Sequence, residues 1–405
     1  MSIEAKRYER VKKEAYEVLE RNRRTTDGHQ YTLPSPSTYP YQWFWDSCFH
    51  AIVLSTDYPE AAKGELRSMV SSQFENGMLP HMIYWESAEF VHIEWGTGKT
   101  SSITQPPMIA EALMSVYQKD GDTGFLRELY QPLCAFYEYL LTARDPRGNH
   151  LSGIVNPDES GEDNSPRFDS LLGLPPIHEL QENFTSRLKL VEALRHGHFD
   201  APFMKQYFWV KDVPFNAILV KNLQVLSTIA ERLEMLDDSE RYASEALLVG
   251  KAMRERMYDG ELFWPTYGES YLKMKVKTWA IFAPMYARIL SAKEARHLVD
   301  AHLLDEKQFR ARYMVPTVSM DEPSFDPDGF WRGPTWIGAN WFIFHGLMNY
   351  GFREEAEHIA RSSLELLELS GFREYFNPTT GEGLGAKDFT WGALALDMCE
   401  TLRDK

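Results

Sequence analysis

Phe125-Leu126-Arg127-Glu128-Leu129-Tyr130-Gln131-Pro132-Leu133-Cys134-Ala135-Phe136-Tyr137-Glu138-Tyr139-Leu140 reads as a helix with one buried face. Its apolar residues Phe125, Leu129, Leu133, Phe136 and Leu140 return every three or four positions, as side chains on one side of a 3.6-residue turn must. The same step recurs at Ile109, Leu113, Val116 and Tyr117, and again at Ala356, Ile359, Ala360, Leu364 and Leu367. Between Ser239 and Tyr258 it carries Ala243, Leu247, Gly250, Met253 and Met257, then stops at Asp259-Gly260, which predicts a C-terminal cap. Roughly a dozen segments of about 10–20 residues follow this pattern. They start near residues 3, 46, 59, 106, 122, 186, 213, 238, 276, 292, 334, 352 and 388. Alternating Val- and Ile-rich strands are scarce, and short ones are expected at 153–155 and 262–265. No low-complexity linker divides the chain, so a single domain over 1–405 is expected. A dozen helices in one domain fit a bundle, a solenoid or a toroid. The polar, aromatic loops favour an all-α toroid whose loops converge at one end, where function concentrates.

Composition narrows the function classes. The 405 residues are 43% hydrophobic and 25% charged, ordinary for a soluble globular protein. Aromatic residues reach 13% with 11 Trp, which calls for a large core or a ring-lined cleft. The net charge of -16 argues against a nucleic-acid or anionic-membrane partner. Three widely spaced cysteines (Cys48, Cys134 and Cys399) make no CxxC pair, so no zinc or disulfide framework is expected and a reducing cytoplasm fits. The charged stretch 1–24 lacks a signal-peptide core, and no bilayer-spanning apolar run is read. No HExxH, GxGxxG or GxSxG motif is present, so neither a metal nor any other cofactor is expected. The expected partner is a small sugar or glycoside; a homo-oligomer is compatible with the sequence.

Two loops carry the chemistry. Glu159-Ser160-Gly161-Glu162-Asp163-Asn164-Ser165-Pro166-Arg167 and Arg373-Glu374-Tyr375-Phe376-Asn377-Pro378-Thr379-Thr380-Gly381-Glu382-Gly383 each set a carboxylate among Gly and Pro. Paired carboxyls with aromatic walls suit glycoside hydrolysis: one protonates the leaving oxygen, and the other drives water or attacks. Burial would raise the pKa of Asp163 and fit it as the acid; the alternative is a solvated acidic turn. Glu159 and Arg167 would orient Asp163 or pair with each other. Arg373 would keep Glu374 ionised; the alternative is a surface ion pair. Glu382 is a rival base, although its Gly-flanked position reads as an exposed turn. In Tyr39-Pro40-Tyr41-Gln42-Trp43-Phe44-Trp45-Asp46, Trp43 would stack on a sugar and Asp46 would take its hydroxyls, or Asp46 would cap a helix beginning at Ser47. Trp45 reads as core. Trp331 and Trp336, five apart around Gly333-Pro334, cannot share a helix face, so at least one is expected to line a cavity. The stretches 86–98 and 320–329 are lid candidates.

Taken in order, Trp43-Phe44-Trp45-Asp46, Glu159-Ser160-Gly161 with Asp163-Asn164-Ser165-Pro166-Arg167, Trp331-Arg332-Gly333-Pro334-Thr335-Trp336 and Glu374-Tyr375 with Thr380-Gly381 resemble glycoside hydrolase family 63. The resemblance is greatest to its short bacterial members that hydrolyse mannosylglycerate or glucosylglycerate; trehalases share a more distant form. It implies an (α/α)6 barrel and an inverting α-glycosidase, with Asp163 as general acid and Glu374 as general base. Tyr39, Trp43, Asp46, Gln105, Trp331 and Trp336 are implied at the sugar. A glycerate carboxylate would need a cation, for which Arg167, Arg187, Lys205 and Lys211 are candidates. One position departs from the pattern: Asp158 stands where the short bacterial members carry Trp. The alternatives are a trehalase or oligosaccharide α-glucosidase and, further off, a sugar epimerase or isomerase on the same toroid.

Overall fold

The computed structural model describes residues 3–86 and 99–404. Fourteen α-helices dominate the described residues, and the strands among them are two to five residues long. The chain falls into two compact units, one of Thr25–Tyr31 and Tyr41–Lys275, the other of Met1–Arg24, Thr32–Pro40 and Val276–Lys405.

In the 41–275 unit the helices are Phe44–Leu54, Pro59–Val70, Ile109–Asp120, Thr123–Thr142, the one-turn Asp169–Leu172, Leu180–His196, Val213–Arg232 and Leu236–Arg256. The face read from Phe125 to Leu140 is buried throughout. Its helix starts where Asp122 accepts the Phe125 N–H at 3.1 Å, satisfying a donor the first turn leaves open. Val213–Arg232 is apolar enough, at a mean hydropathy of 1.2, to cross a membrane by length and composition, contrary to the expectation from sequence. It is 72% buried and packs on Ile109–Asp120, Thr123–Thr142 and Leu236–Arg256, the setting of a core helix.

Three expectations change in this unit. The buried stripe of Leu236–Arg256 is Tyr242, Ala246, Val249 and Met253, whereas Leu247 is 74% exposed. The aromatic ring of Tyr242 sets the inward direction, one residue out of phase with the stripe read through Ala243. The helix expected near 186 begins at Leu180, where Glu179 and Glu182 form a capping box. The stretches 153–155 and 262–265 make isolated bridges, Ile154 to Val210 and Tyr258 to Phe263, beside a small sheet of Val210–Lys211, Thr266–Tyr267 and Leu272–Lys273.

In the 276–405 unit, Ile337–Asn349, Arg353–Ser370 and Leu394–Asp404 pack together with Ile3–Asn22. The helix expected from 276 is a 3-10 turn, Trp279–Phe282, running into the four-residue helix Ala283–Tyr286. The buried Asn22 side chain donates to the carbonyls of Leu33 (3.1 Å) and Asp388 (2.8 Å). Thr390 N–H adds a bond to the Pro34 carbonyl at 3.0 Å. These bonds pin the 32–40 segment, and with it Tyr39, to the chain that follows the hairpin Arg373–Phe376/Gly383–Lys387.

Candidate active site

The acid loop is held by two buried ion pairs. Glu159 is fully buried; Arg144 donates to its two oxygens at 2.5 and 2.6 Å, and Thr104 and Val155 add backbone N–H bonds at 3.0 and 2.8 Å. Arg167 donates to Glu162 (2.7 and 2.8 Å), Ser165 (2.7 Å) and Asp212 (3.0 and 3.5 Å), which engages all five of its N–H groups. Glu159 and Arg167 therefore do not pair with each other. Arg167 has no donor left for a substrate, and its place is structural. Gly161, at φ +75°, lies under the Trp45 ring; a Cβ there would come within 2.4 Å of it. The buried Trp45 thereby supports the acid loop.

Asp163 itself is not buried: its side chain is 24% exposed, and Oδ2 lies 2.9 Å from Arg187 Nη2. The same guanidinium donates through Nη1 to Asp158 Oδ1 and through Nε to Asn183 at 2.8 Å. Burial, first, and the charge of Asp163 push the Asp158 carboxyl up to about 6, against the pull of Arg187. Nearby, His81 is fully buried and held neutral, its pKa pushed down to about 3 by burial and by Arg187. Its ring meets Trp43 edge-on at 5.2 Å. Trp43 is fixed by pairing of Gln42–Trp43 with Met82–Ile83.

The helix after Trp43 begins at Phe44, so Asp46 sits inside its first turn and does not cap it. A carboxylate there gains from the positive helix end. Gln105 does the capping, its Oε1 accepting the Trp45 N–H at 3.2 Å.

In the other unit Glu374 lies on a strand, not in a loop. Alternate side chains of Arg373–Phe376 point to opposite faces, so Glu374 is buried (4% exposed) while Arg373 turns away and donates to the Gly385 carbonyl at 2.8 Å. Tyr39 OH and Ala386 N–H take the place expected of Arg373. They donate to Glu374 Oε1 and Oε2 at 2.5 and 2.7 Å. Gly385, at φ +64°, admits that second bond; a Cβ on it would lie 2.3 Å from Oε2. Glu382 is exposed at the turn, as expected.

Trp331 and Trp336 are both buried and stack on each other, with centroids 3.8 Å apart and planes 8° apart. Tyr375 covers the other side of Trp336 at 5.0 Å. Its phenol is pushed up to about 12 by burial and by the charge of Glu374. The rings back the hairpin that carries Glu374.

The stretch 320–329 is tied down: Met320 N–H donates to Gln308 and Asp328 accepts from Asn377. The stretch 87–98 lies outside the described residues. Lys205 and Lys211 both approach the Trp209 ring, at 5.7 and 5.4 Å, and line a cavity of about 360 Å³ with Tyr207, Tyr267 and Tyr271. Neither Asp158, Asp163 nor Arg187 lines it. Burial draws the Lys211 ammonium down to about 8.

The family model for the mannosylglycerate hydrolase MGH1-like glycoside hydrolase domain matches residues 39–392. A mannosylglycerate hydrolase of Thermus thermophilus is 34% identical, over 94% of this chain and 99% of its own. The chain belongs to glycoside hydrolase family 63. A family 63 mannosylglycerate hydrolase of Thermus thermophilus, solved with Tris and D-glycerate, superposes at a TM-score of 0.87 and 33% identity, over 96% of this chain and all of that one. A glucosylglycerate hydrolase of Mycolicibacterium hassiacum is 27% identical over 90% of this chain and 93% of its own. The fold is the all-α (α/α)6 class. Neutral trehalase of Saccharomyces cerevisiae shares that fold alone, at 15% identity and a TM-score of 0.58, over 96% of this chain and 79% of that one. As a member of this family the protein is an inverting glycoside hydrolase.

Proposed function

We propose that this chain hydrolyses a small α-mannoside or α-glucoside of the glycerate-linked type, with Asp163 as general acid and Glu374 as general base. The observation that carries the base assignment is the grip of Tyr39 and Ala386 on both oxygens of a buried Glu374. Two donors aimed at a carboxylate favour its ionised form, the form that can take a proton from water. Its rival Glu382 is exposed.

In this reading Asp163 gives its proton to the glycosidic oxygen as the C1–O bond breaks. Glu374 takes a proton from the water that attacks C1 on the opposite face, so the anomer inverts. Proton exchange with solvent restores both carboxyls. An inverting pair works with its carboxyls about 6.5–9.5 Å apart, which leaves room for that water. Trp43 and Asp46, with Gln105 behind them, and Tyr39 with the Trp331–Trp336 stack are the groups proposed to shape the sugar pocket. A cytoplasmic setting belongs to the same reading and is supported by three free cysteines.

Proton NMR of the enzyme with mannosylglycerate, glucosylglycerate, trehalose and a short α-glucan tests the proposal. A β-sugar appearing first from a glycerate-linked substrate is expected. An α-sugar would overturn the mechanism, and release from trehalose alone would overturn the substrate. Asp163→Asn and Glu374→Gln should each lower kcat by roughly 100-fold or more. The amide introduced by Glu374→Gln can accept from Ala386 N–H and donate to the Tyr39 oxygen, so the hairpin should survive that change.

A further inference from the structure

The cavity beside Trp209 lies apart from the acid and its neighbours, since Asp158, Asp163 and Arg187 do not line it. Its volume of about 360 Å³ is on the scale of a small-molecule site. Lys211 lines it although only 6% exposed. The residue is fixed on a short strand, where it pairs with Thr266 while its neighbour Val210 bridges to Ile154. Of its three ammonium donors, one goes to the Leu151 carbonyl. Asp145 Oδ1 stands 3.7 Å away, beyond hydrogen-bond distance, and no other acceptor reaches Lys211 among the described residues. A charge taken out of water with donors left open gains from an anion that enters.

The remaining charges of the lining do not cancel. Arg147 and Glu269 pair with each other at the exposed rim. Two ammoniums, Lys205 and Lys211, then stand against one carboxylate, Asp145, whose other oxygen accepts the His150 N–H at 2.6 Å. A positive charge is left in excess, in a molecule whose net charge is -16. Trp209 is held flush against the chain: a Cβ on Gly153 would lie 2.3 Å from its ring. Tyr207, half exposed, and the neighbouring Tyr267 and Tyr271 add flat faces and phenolic hydroxyls. Such rings cover the C–H face of a sugar or polyol, and the phenols bond its hydroxyls.

We propose that this cavity is a second binding site, selective for a singly charged sugar acid. The carboxylate meets Lys211 and Lys205, and the hydroxylated carbon chain lies against the three tyrosines. A single excess positive charge suits a carboxylate better than a more highly charged phosphate, which Asp145 repels. A neutral polyol brings nothing to offset the cost of keeping Lys211 charged in a buried place. The inference does not depend on which glycoside the enzyme cleaves.

Calorimetric titration of the full-length protein with D-gluconate, glucitol and inorganic phosphate tests it. Gluconate is expected to bind at least roughly tenfold more tightly than the other two, the order of one hydrogen bond to a charged group. Lys205→Ala, an exposed change that spares the fold, and Lys211→Met should each weaken gluconate by a similar factor. KM for the hydrolysed glycoside should not change in Lys205→Ala. α-Mannosylglycerate added to Glu374→Gln distinguishes the source of the carboxylate: competition with gluconate that Lys205→Ala abolishes identifies a glycoside, and its absence a free sugar acid. Equal binding of glucitol or phosphate, or gluconate affinity that neither variant alters, overturns the inference. A KM that rises in step with lost gluconate affinity also overturns it, by making the cavity part of the active site.

Discussion

Tyr39 gives its phenolic proton to a buried carboxylate at 2.5 Å, a bond of the charge-assisted kind. Tyr39→Phe is expected to lower kcat/KM by roughly 10–100-fold, the scale of one hydrogen bond to a charged group. Combined with Glu374→Gln, the two losses should not add, because one acts through the other; additive losses would mean that Tyr39 works independently of Glu374. Asp158 gives a pH signature. Its carboxyl titrates near 3.8 in the unfolded chain and about 6 in the folded one. Between those values the folded state holds a proton that the unfolded state has lost, so this group's contribution is full below pH 4 and is lost as pH rises through 6. Of a total on the order of 3 kcal/mol, the part that falls between pH 5 and pH 7.5, about 1–1.5 kcal/mol, should show in urea unfolding at those two values and vanish in Asp158→Asn. Arg167→Lys should cost roughly 3–5 kcal/mol in the same assay, since an ammonium cannot replace a planar fork between Glu162 and Asp212 and leaves buried charge unpaired.

The hairpin Arg373–Phe376/Gly383–Lys387 acts as one element through Gly385. An alanine there would be strained at φ +64° and would push on Glu374 Oε2. Gly385→Ala is expected to reduce kcat by roughly tenfold or more, with a smaller loss of thermal stability than a core deletion of similar size; unchanged kcat would show that the base tolerates displacement. The same hairpin marks where the sequence stops being readable. Helices with long apolar stripes are legible because period 3.6 repeats over several turns, as in Phe125 to Leu140. Arg373–Phe376 has four residues and two side chains per face, too few for alternation to stand out, so it reads as a loop. Consequently the sequence assigns Arg373 to the carboxylate it turns away from. The carboxylates, the tryptophans and Tyr39 can be named from their motifs. The Ala386 N–H cannot, because a backbone donor leaves no mark in residue type. Nor can the reach of Arg187 to both Asp158 and Asp163, which are 29 and 24 positions away along the chain.

The whole molecule carries a net charge of -16 and an isoelectric point near 5.3. Such a field opposes the approach of an anionic substrate and leaves a neutral one indifferent. The local cation Arg187 is already balanced by two carboxylates, so the global field should decide the sign. Raising salt from about 20 to 200 mM, where the Debye length shortens to less than 10 Å, is expected to raise kcat/KM for glycerate-linked sugars and to leave glycerol-linked sugars unchanged. A fall would reveal an attractive cation that outweighs the field. The molecule's near-ultraviolet spectrum should also report on the surroundings of Glu374. Of its 11 Trp, Trp331 and Trp336 lie nearly parallel with centroids 3.8 Å apart. At that separation their electronic transitions couple, and a slight twist between the planes turns the coupling into circular dichroism. Ligands that shift the backing of Glu374 can then be followed optically, without a label and before any bond is broken.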